Sequence, residues 1–104
     1  MIDFPKWQTR MVIEGLVTEV ILPLQDLEKL KKGEAVGISF AGLHFRDFTA
    51  EIVNVSVTSV AHLTNVDAYK CGFAYFPFFL QFLEEQGLSE SDTIQKVEFL
   101  LFEN

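Results

Sequence analysis

The chain has few cations, a single cysteine and no long apolar run. Eight Lys and Arg stand against fifteen Asp and Glu, for a formal net charge of −7. A protein that neutralises many phosphates needs a basic face, so strong nonspecific binding to nucleic acid is not expected. Three of the cations, Lys29, Lys31 and Lys32, sit close together. They are the candidate phosphate contacts, against the ordinary reading of a solvated turn. The lone Cys71 makes no internal disulfide, which predicts a reducing, cytoplasmic setting. It has no histidine motif beside it, and a small buried side chain is the reading preferred over a nucleophile. No stretch of about 18 apolar residues occurs, so no transmembrane helix and no membrane partner are expected. Met1 to Arg10 contains Asp3 and lacks a continuous apolar core, unlike a signal peptide. His44 and His62 stand apart from any Cys or carboxylate at ligand spacing, so no metal and no cofactor are expected. There is no Ser-His-Asp set, P-loop or Gly-rich phosphate loop.

What is present is apolar material. At 104 residues the length predicts one domain, and 49% hydrophobic against 22% charged residues supplies a real core and argues against disorder. Phenylalanine is abundant: Phe73, Phe76, Phe78, Phe79 and Phe82 fall within ten positions.

The pattern of elements follows from periodicity and punctuation. Pro5 to Glu14 reads as a first helix closed by Gly15, with Trp7 and Met11 on one face. Leu16 to Leu22 reads as a strand ended by Pro23. Asp26 to Lys32 has helical spacing at Leu27 and Leu30, and Lys32-Gly33-Glu34 reads as a turn. Ala35 to Phe40 is a strand, and Gly42 marks the next turn. Phe45 to Val60 reads as one long strand. Its Val53, Val55 and Val57 alternate with polar residues, while Ala50 and Ile52 are in the opposite phase, which predicts a bulge near Ile52-Val53. Asn65 is placed as the cap of a helix over Val66 to Cys71, and a second helix covers Phe76 to Gln86, with Phe76, Phe79, Leu80 and Leu83 on one stripe. Ser89 to Thr93 is loop-like. Val97 to Phe102 reads as a strand covered on both faces. Helices and sequence-adjacent strands in this order predict a mixed α+β fold. It has a small curved sheet or partial barrel of about five mostly antiparallel strands, flanked by two to three helices.

That order, with Phe4, Trp7, Gly15, Thr18, Lys31, Gly33, Glu34, Leu63, Asp67, Ala68, Gly72 and Phe73 inside it, resembles the ASCH domain of the PUA-like superfamily, in its small bacterial and phage form. The resemblance spans nearly the whole chain. It implies a PUA-like fold and a site on the strand after Gly15, where the family carries G-x-K-x-x-x-x-R. Gly15 and Thr18 fit that pattern, but the Lys position is Val17 and the Arg position is Leu22. Members resembling acetylcytidine amidohydrolases use that Lys and a Thr further along the strand, which here is Val20. A valine neither attacks an amide nor transfers a proton. Nor does a leucine hold phosphate with two hydrogen bonds, as an arginine does.

The leading expectation is therefore a catalytically degenerate ASCH-like binding or regulatory domain, leaning away from an enzyme. Gly15, Thr18, Glu19, Arg46 and Asp67 are the candidate remnants of its pocket. For Thr18 and Glu19 the alternative is a strand with polar residues facing water, and for Asp67 it is a helix cap. The acidity favours a protein partner with a basic surface, with RNA or nucleotide as a weaker ligand. A small acidic phage-type inhibitor is one form of this reading. Phe78 and Phe82 lie off the core stripe of their helix and are the candidate partner surface, against packing on the preceding helix. The alternatives are an ASCH-like hydrolase acting on modified nucleosides or RNA with relocated catalytic residues, and a structural homodimer through the Phe-rich helix.

Overall fold

The computed structural model describes residues 2–24 and 30–103, with backbone only at 43–47 and 103, and the described residues form ten elements. Strand β1 (Ile2–Phe4) leads into a 3-10 turn (Lys6–Gln8) and helix α1 (Thr9–Ile13). Strands β2 (Glu19–Pro23), β3 (Ala35–Phe40) and β4 (Leu43–Ser59) follow. A second 3-10 turn (Val60–His62), helices α2 (Asn65–Lys70) and α3 (Phe76–Glu85), and strand β5 (Thr93–Glu103) complete the described fold. The strands form one sheet in the order β1-β3-β4-β5-β2, antiparallel except where β1 runs parallel to β3. It curls into a half-barrel, as an α+β PUA-like fold requires.

The β3–β4 connection is a two-residue hairpin with positive φ at both Ala41 and Gly42, the arrangement whose twist suits antiparallel strands. The bulge expected in β4 is present. Ile52 pairs with Phe99 and Asn54 with Glu98, so Val53 is the extra residue and the side-chain phase flips there.

Curling creates two apolar clusters. Residues from all five strands meet on the inner face, including Phe4, Ile38, Ile52, Val97 and Phe99, and α1 contributes Val12. On the outer face Ile21 of β2 and Ile94 of β5 are covered by Ala68 of α2 and by Phe79 and Leu83 of α3. Burying such side chains stabilises the fold by roughly 1.5–3 kcal/mol each before the entropy of ordering is counted.

Several boundaries differ from expectation. The first helix is shorter and split, and Ile2–Phe4 is a strand, because the free edge of β3 offers it a ladder. Strand β2 begins at Glu19 rather than Leu16, and α2 is capped by Thr64 rather than Asn65. Of the short helix expected over Asp26 to Lys32, residues 26–29 lie outside the described residues, and Leu30 to Lys32 are not helical. Strand β5 starts within the expected loop, at Thr93, and its far half is not covered on both faces, since Leu100 and Phe102 are exposed. Val53 and Val57 are also exposed. Beyond the bulge β4 has β5 alone beside it, since β3 pairs with β4 only as far as Glu51.

Gly72, just after α2, has φ +93°, and a Cβ there would lie 2.8 Å from Met11 Cε and 2.9 Å from Val17 Cγ2. Gly87 has a similar φ of +85° with open space around it. Gly87→Ala should therefore cost about 1–2 kcal/mol of backbone strain alone. Gly72→Ala should add an overpacking cost of about 1–3 kcal/mol, so chemical denaturation should separate the two variants by that margin.

Candidate functional site

Strand β2 alternates between the two cores: Val20 and Leu22 turn inward, while Glu19 and Ile21 face the helices. Its register against β5 places Glu19 opposite Glu98 and Ile21 opposite Lys96. Helix α2 crosses above this region and presents Asp67. A polar cluster forms here, although its members belong to three elements far apart in sequence.

Asp67 is the centre of that cluster. As the third residue of α2 it closes a capping box, accepting bonds from the Thr64 backbone N–H at 2.8 Å and from Thr64 Oγ1 at 3.2 Å. Its other oxygen receives Lys96 Nζ at 3.1 Å. It also hydrogen-bonds to Glu19. Burial pushes the Asp67 pKa up, but the Thr64, Lys96 and Glu19 bonds outweigh burial and hold it below the usual value.

Glu19 behaves in the opposite way. It is 1% exposed, and burial, followed by the charge of Asp67, raises its pKa to about 8. Cys71 Sγ donates to its Oε2 at 3.9 Å, and no donor reaches its Oε1. A proton on Glu19 accounts for both the orphan oxygen and the bond between two acids. Glu19 is the neutral carboxylic acid and donates to the Asp67 carboxylate, which Lys96 balances. Burial, then the neighbouring acidic groups of Glu19 and Asp67, pushes the Cys71 thiol far up, so Cys71 is no thiolate nucleophile at neutral pH. Beside this cluster Lys70 Nζ pairs with Glu98 Oε1 at 3.2 Å.

Glu19 is also part of the wall of a cleft of about 220 Å³. The cleft lies between the two sheet edges, where Asp3–Pro5 and Gln8 approach β2; α3 roofs it with Phe79, Phe82 and Leu83, and the residues after the helix add Gln86 and Leu88. Gln8 is buried and donates its Nε2–H to the Cys71 carbonyl at 3.0 Å, which ties the end of α2 to the 3-10 turn. No Lys, Arg or His lines this cleft among the described residues.

The sequence candidates are thus dispersed. Glu19 and Asp67 come together. Gly15 closes α1 with φ +78° and is exposed. Thr18 is exposed, and its backbone bonds to the Lys70 carbonyl and the Phe99 N–H. Arg46 lies on β4, with its side chain outside the described residues, as is all of Lys29. Lys31 and Lys32 are exposed in the turn before β3. Phe78 is 61% exposed, and its ring meets Tyr75. Phe82 is half-buried against Trp7 and Phe73 and lines the cleft. Lys96, Cys71 and Gln8 are the site residues that sequence reading did not assign. The signal for Lys96 was two charges at alternate positions, Lys96 and Glu98, in an otherwise apolar segment.

Two measurements follow. Unfolded Glu19 titrates near 4.5 and folded Glu19 near 8, so between these values the native state holds a proton that the unfolded state has lost. The Glu19 contribution is fully present below about pH 4.5 and declines as pH rises towards 8. Asp67, with its lowered pKa, loses its contribution only in the more acid range. Glu19→Gln keeps a donor for Asp67 and removes the titration, so its denaturation midpoint should vary less between pH 5 and pH 8 than that of the parent. Val17, 2% exposed against Met11 and Gly72, occupies a filled position. Val17→Lys should therefore bury an unpaired ammonium and cost several kcal/mol in the same assay.

Known proteins share this architecture. No protein-family model and no curated protein matches the sequence. Among solved structures, an ASCH domain from Lactobacillus crispatus JV V101 superposes with a TM-score of 0.66 at 13% identity, covering 99% of this chain and 81% of that one. A DUF984 protein from Enterococcus faecalis V583 superposes with a TM-score of 0.72, also at 13% identity, covering 99% of this chain and 82% of that one. At this identity the likeness is one of fold: the chain has the fold of an ASCH domain.

Proposed function

We propose that the protein is an ASCH-like binding domain that holds a small uncharged ligand in the cleft between its two sheet edges, without chemical turnover. The observation that carries this reading is the protonated Glu19 in the wall of a cleft lined by no Lys, Arg or His among the described residues. Such a site offers no counter-ion to a phosphate or carboxylate. Its polar wall is made by the protonated Glu19, by Gln8, whose amide N–H is held by the Cys71 carbonyl, and by Asp3, whose carboxylate is held by Ser39 and the Gly42 N–H, with Val20, Leu22, Phe79 and Phe82 as apolar walls. Apolar walls with a few polar groups are the usual make-up of a small-molecule site, and the volume lies below the ordinary range of about 300–1,000 Å³. A flat nucleobase or nucleoside fits this chemistry, since its edge carries both donors and acceptors and its face packs on an aromatic ring.

Binding is favoured over hydrolysis because the reactive positions of the family pattern are Val17 and Val20. The two lysines nearest Glu19 in the polar cluster, Lys70 and Lys96, are each engaged in an ion pair. Titration of the labelled protein with cytidine, N4-acetylcytidine, adenosine and cytidine monophosphate tests the reading. The backbone amides of Val20, Leu22, Phe82 and Gln86 should shift with at least one nucleoside and less with the monophosphate. N4-acetylcytidine should be recovered intact. Deacetylation that scales with protein concentration, or the absence of cleft shifts with every nucleoside, overturns the proposal.

A further inference from the structure

A second groove lies on the other flank of α3 and shares only Leu88 with the lining of the cleft above. Its floor is apolar: Val60 and Ala61 from the second 3-10 turn, Phe76 and Leu80 from α3, and Leu88 from the loop that follows. Glu84 and Glu90 stand at its sides, and Ser89 completes it. Its volume is about 390 Å³. Phe76, Leu80 and Glu84 are spaced by four residues, so they form one stripe along the helix. The opposite wall is preformed. Ala61 N–H bonds to the Glu90 carbonyl at 3.0 Å, Val60 N–H to the Asp92 carbonyl at 3.1 Å, and Asp92 Oδ2 accepts from Ser89 N–H at 2.7 Å.

The electrostatics of this pole are one-sided. Between Cys71 and Gln95 the sequence has Glu84, Glu85, Glu90 and Asp92 and no Lys, Arg or His, and His62 of the adjoining turn is hydrogen-bonded to Ser59. Glu84 and Glu85 occupy the last turn of α3, which has no basic residue. A helix C-terminus carries partial negative charge, so carboxylates there are unfavourable and a cation is favourable. Glu84 and Glu90 are exposed and take part in no ion pair among the described residues. An apolar floor, two unneutralised carboxylates and an uncompensated helix end all favour the same kind of occupant.

We propose that this groove docks a basic segment of a partner protein, with one apolar side chain seated between Val60, Phe76, Leu80 and Leu88 and flanking Lys or Arg side chains on Glu84 and Glu90. The apolar residue supplies the buried centre that charge alone lacks, and the charges set orientation and speed encounter. This proposal is independent of the ligand in the first cleft.

The test uses a fluorescein-labelled hexapeptide, Lys-Leu-Lys-Lys-Leu-Lys, with a Leu→Ser version as control, read by anisotropy at moderate and high salt. The leucine peptide should bind saturably, more weakly as salt rises, and the serine peptide at least several-fold more weakly. Glu84→Gln with Glu90→Gln should weaken binding by about three- to tenfold, the range expected for two exposed ion pairs. Glu14→Gln with Glu51→Gln removes the same charge elsewhere and should leave the affinity within about twofold. Ala61→Lys, at an exposed position on the groove wall, should also abolish binding without altering the melting temperature. Equal loss in both double variants, equal affinity for the two peptides, or no saturable binding up to millimolar peptide overturns the proposal. A concentration-dependent solution mass that Leu80→Ser shifts to the monomer overturns it as well, because the occupant would then be a second copy of the chain.

Discussion

The Asp67 carboxylate joins elements that have little other reason to adopt one arrangement. It caps α2, holds Lys96 of β5 and receives the Glu19 proton from β2. A buried carboxylate is costly unless it is fully bonded. Each of its partners therefore constrains the others: α2 must sit over the β2–β5 pair, and Glu19 must stay neutral. Removing one partner leaves buried charge rather than a simple gap, so the cluster acts as a unit.

That arrangement also separates the two surfaces of α3. One flank roofs the cleft beside Glu19, and the other forms the acidic groove beside the second 3-10 turn. The helix stays in register through Phe79 and Leu83, which are buried in the outer cluster, and through Phe82, which packs on Trp7 and Phe73. Phe78 is left with only the Tyr75 ring among the aromatic contacts described. The Phe-rich segment thus divides between core and surface at the level of single residues.

Much of the fold could be read from local pattern. Ala35–Phe40 has the expected bounds, the β4 bulge lies where Ile52 and Val53 change phase, and α3 ends within one residue of expectation. These features are written in periodicity or in glycine. Strand β1 was not legible because three residues cannot show a period, and its existence depends on the remote edge of β3. The site was half legible. Glu19 and Asp67 were singled out, but the reversal of their acidities arises from Thr64, Lys96 and burial, which no spacing encodes. The exposure of Val57 was hidden for a similar reason: alternation identifies a strand face, and only topology decides whether anything covers it.

The strand order has a consequence for synthesis. β2, from the first quarter of the chain, pairs with β5, whose residues emerge last among those described, in a register that sets Glu19 opposite Glu98. On the ribosome, β2 and Glu19 must therefore wait, unpaired, while the β3–β4 hairpin forms. Closing so long a loop is slow. Val20, Ile21 and Leu22 remain available to wrong partners during that interval, and chaperone dependence in the cell should follow this nascent segment more closely than it follows the stability of the finished domain.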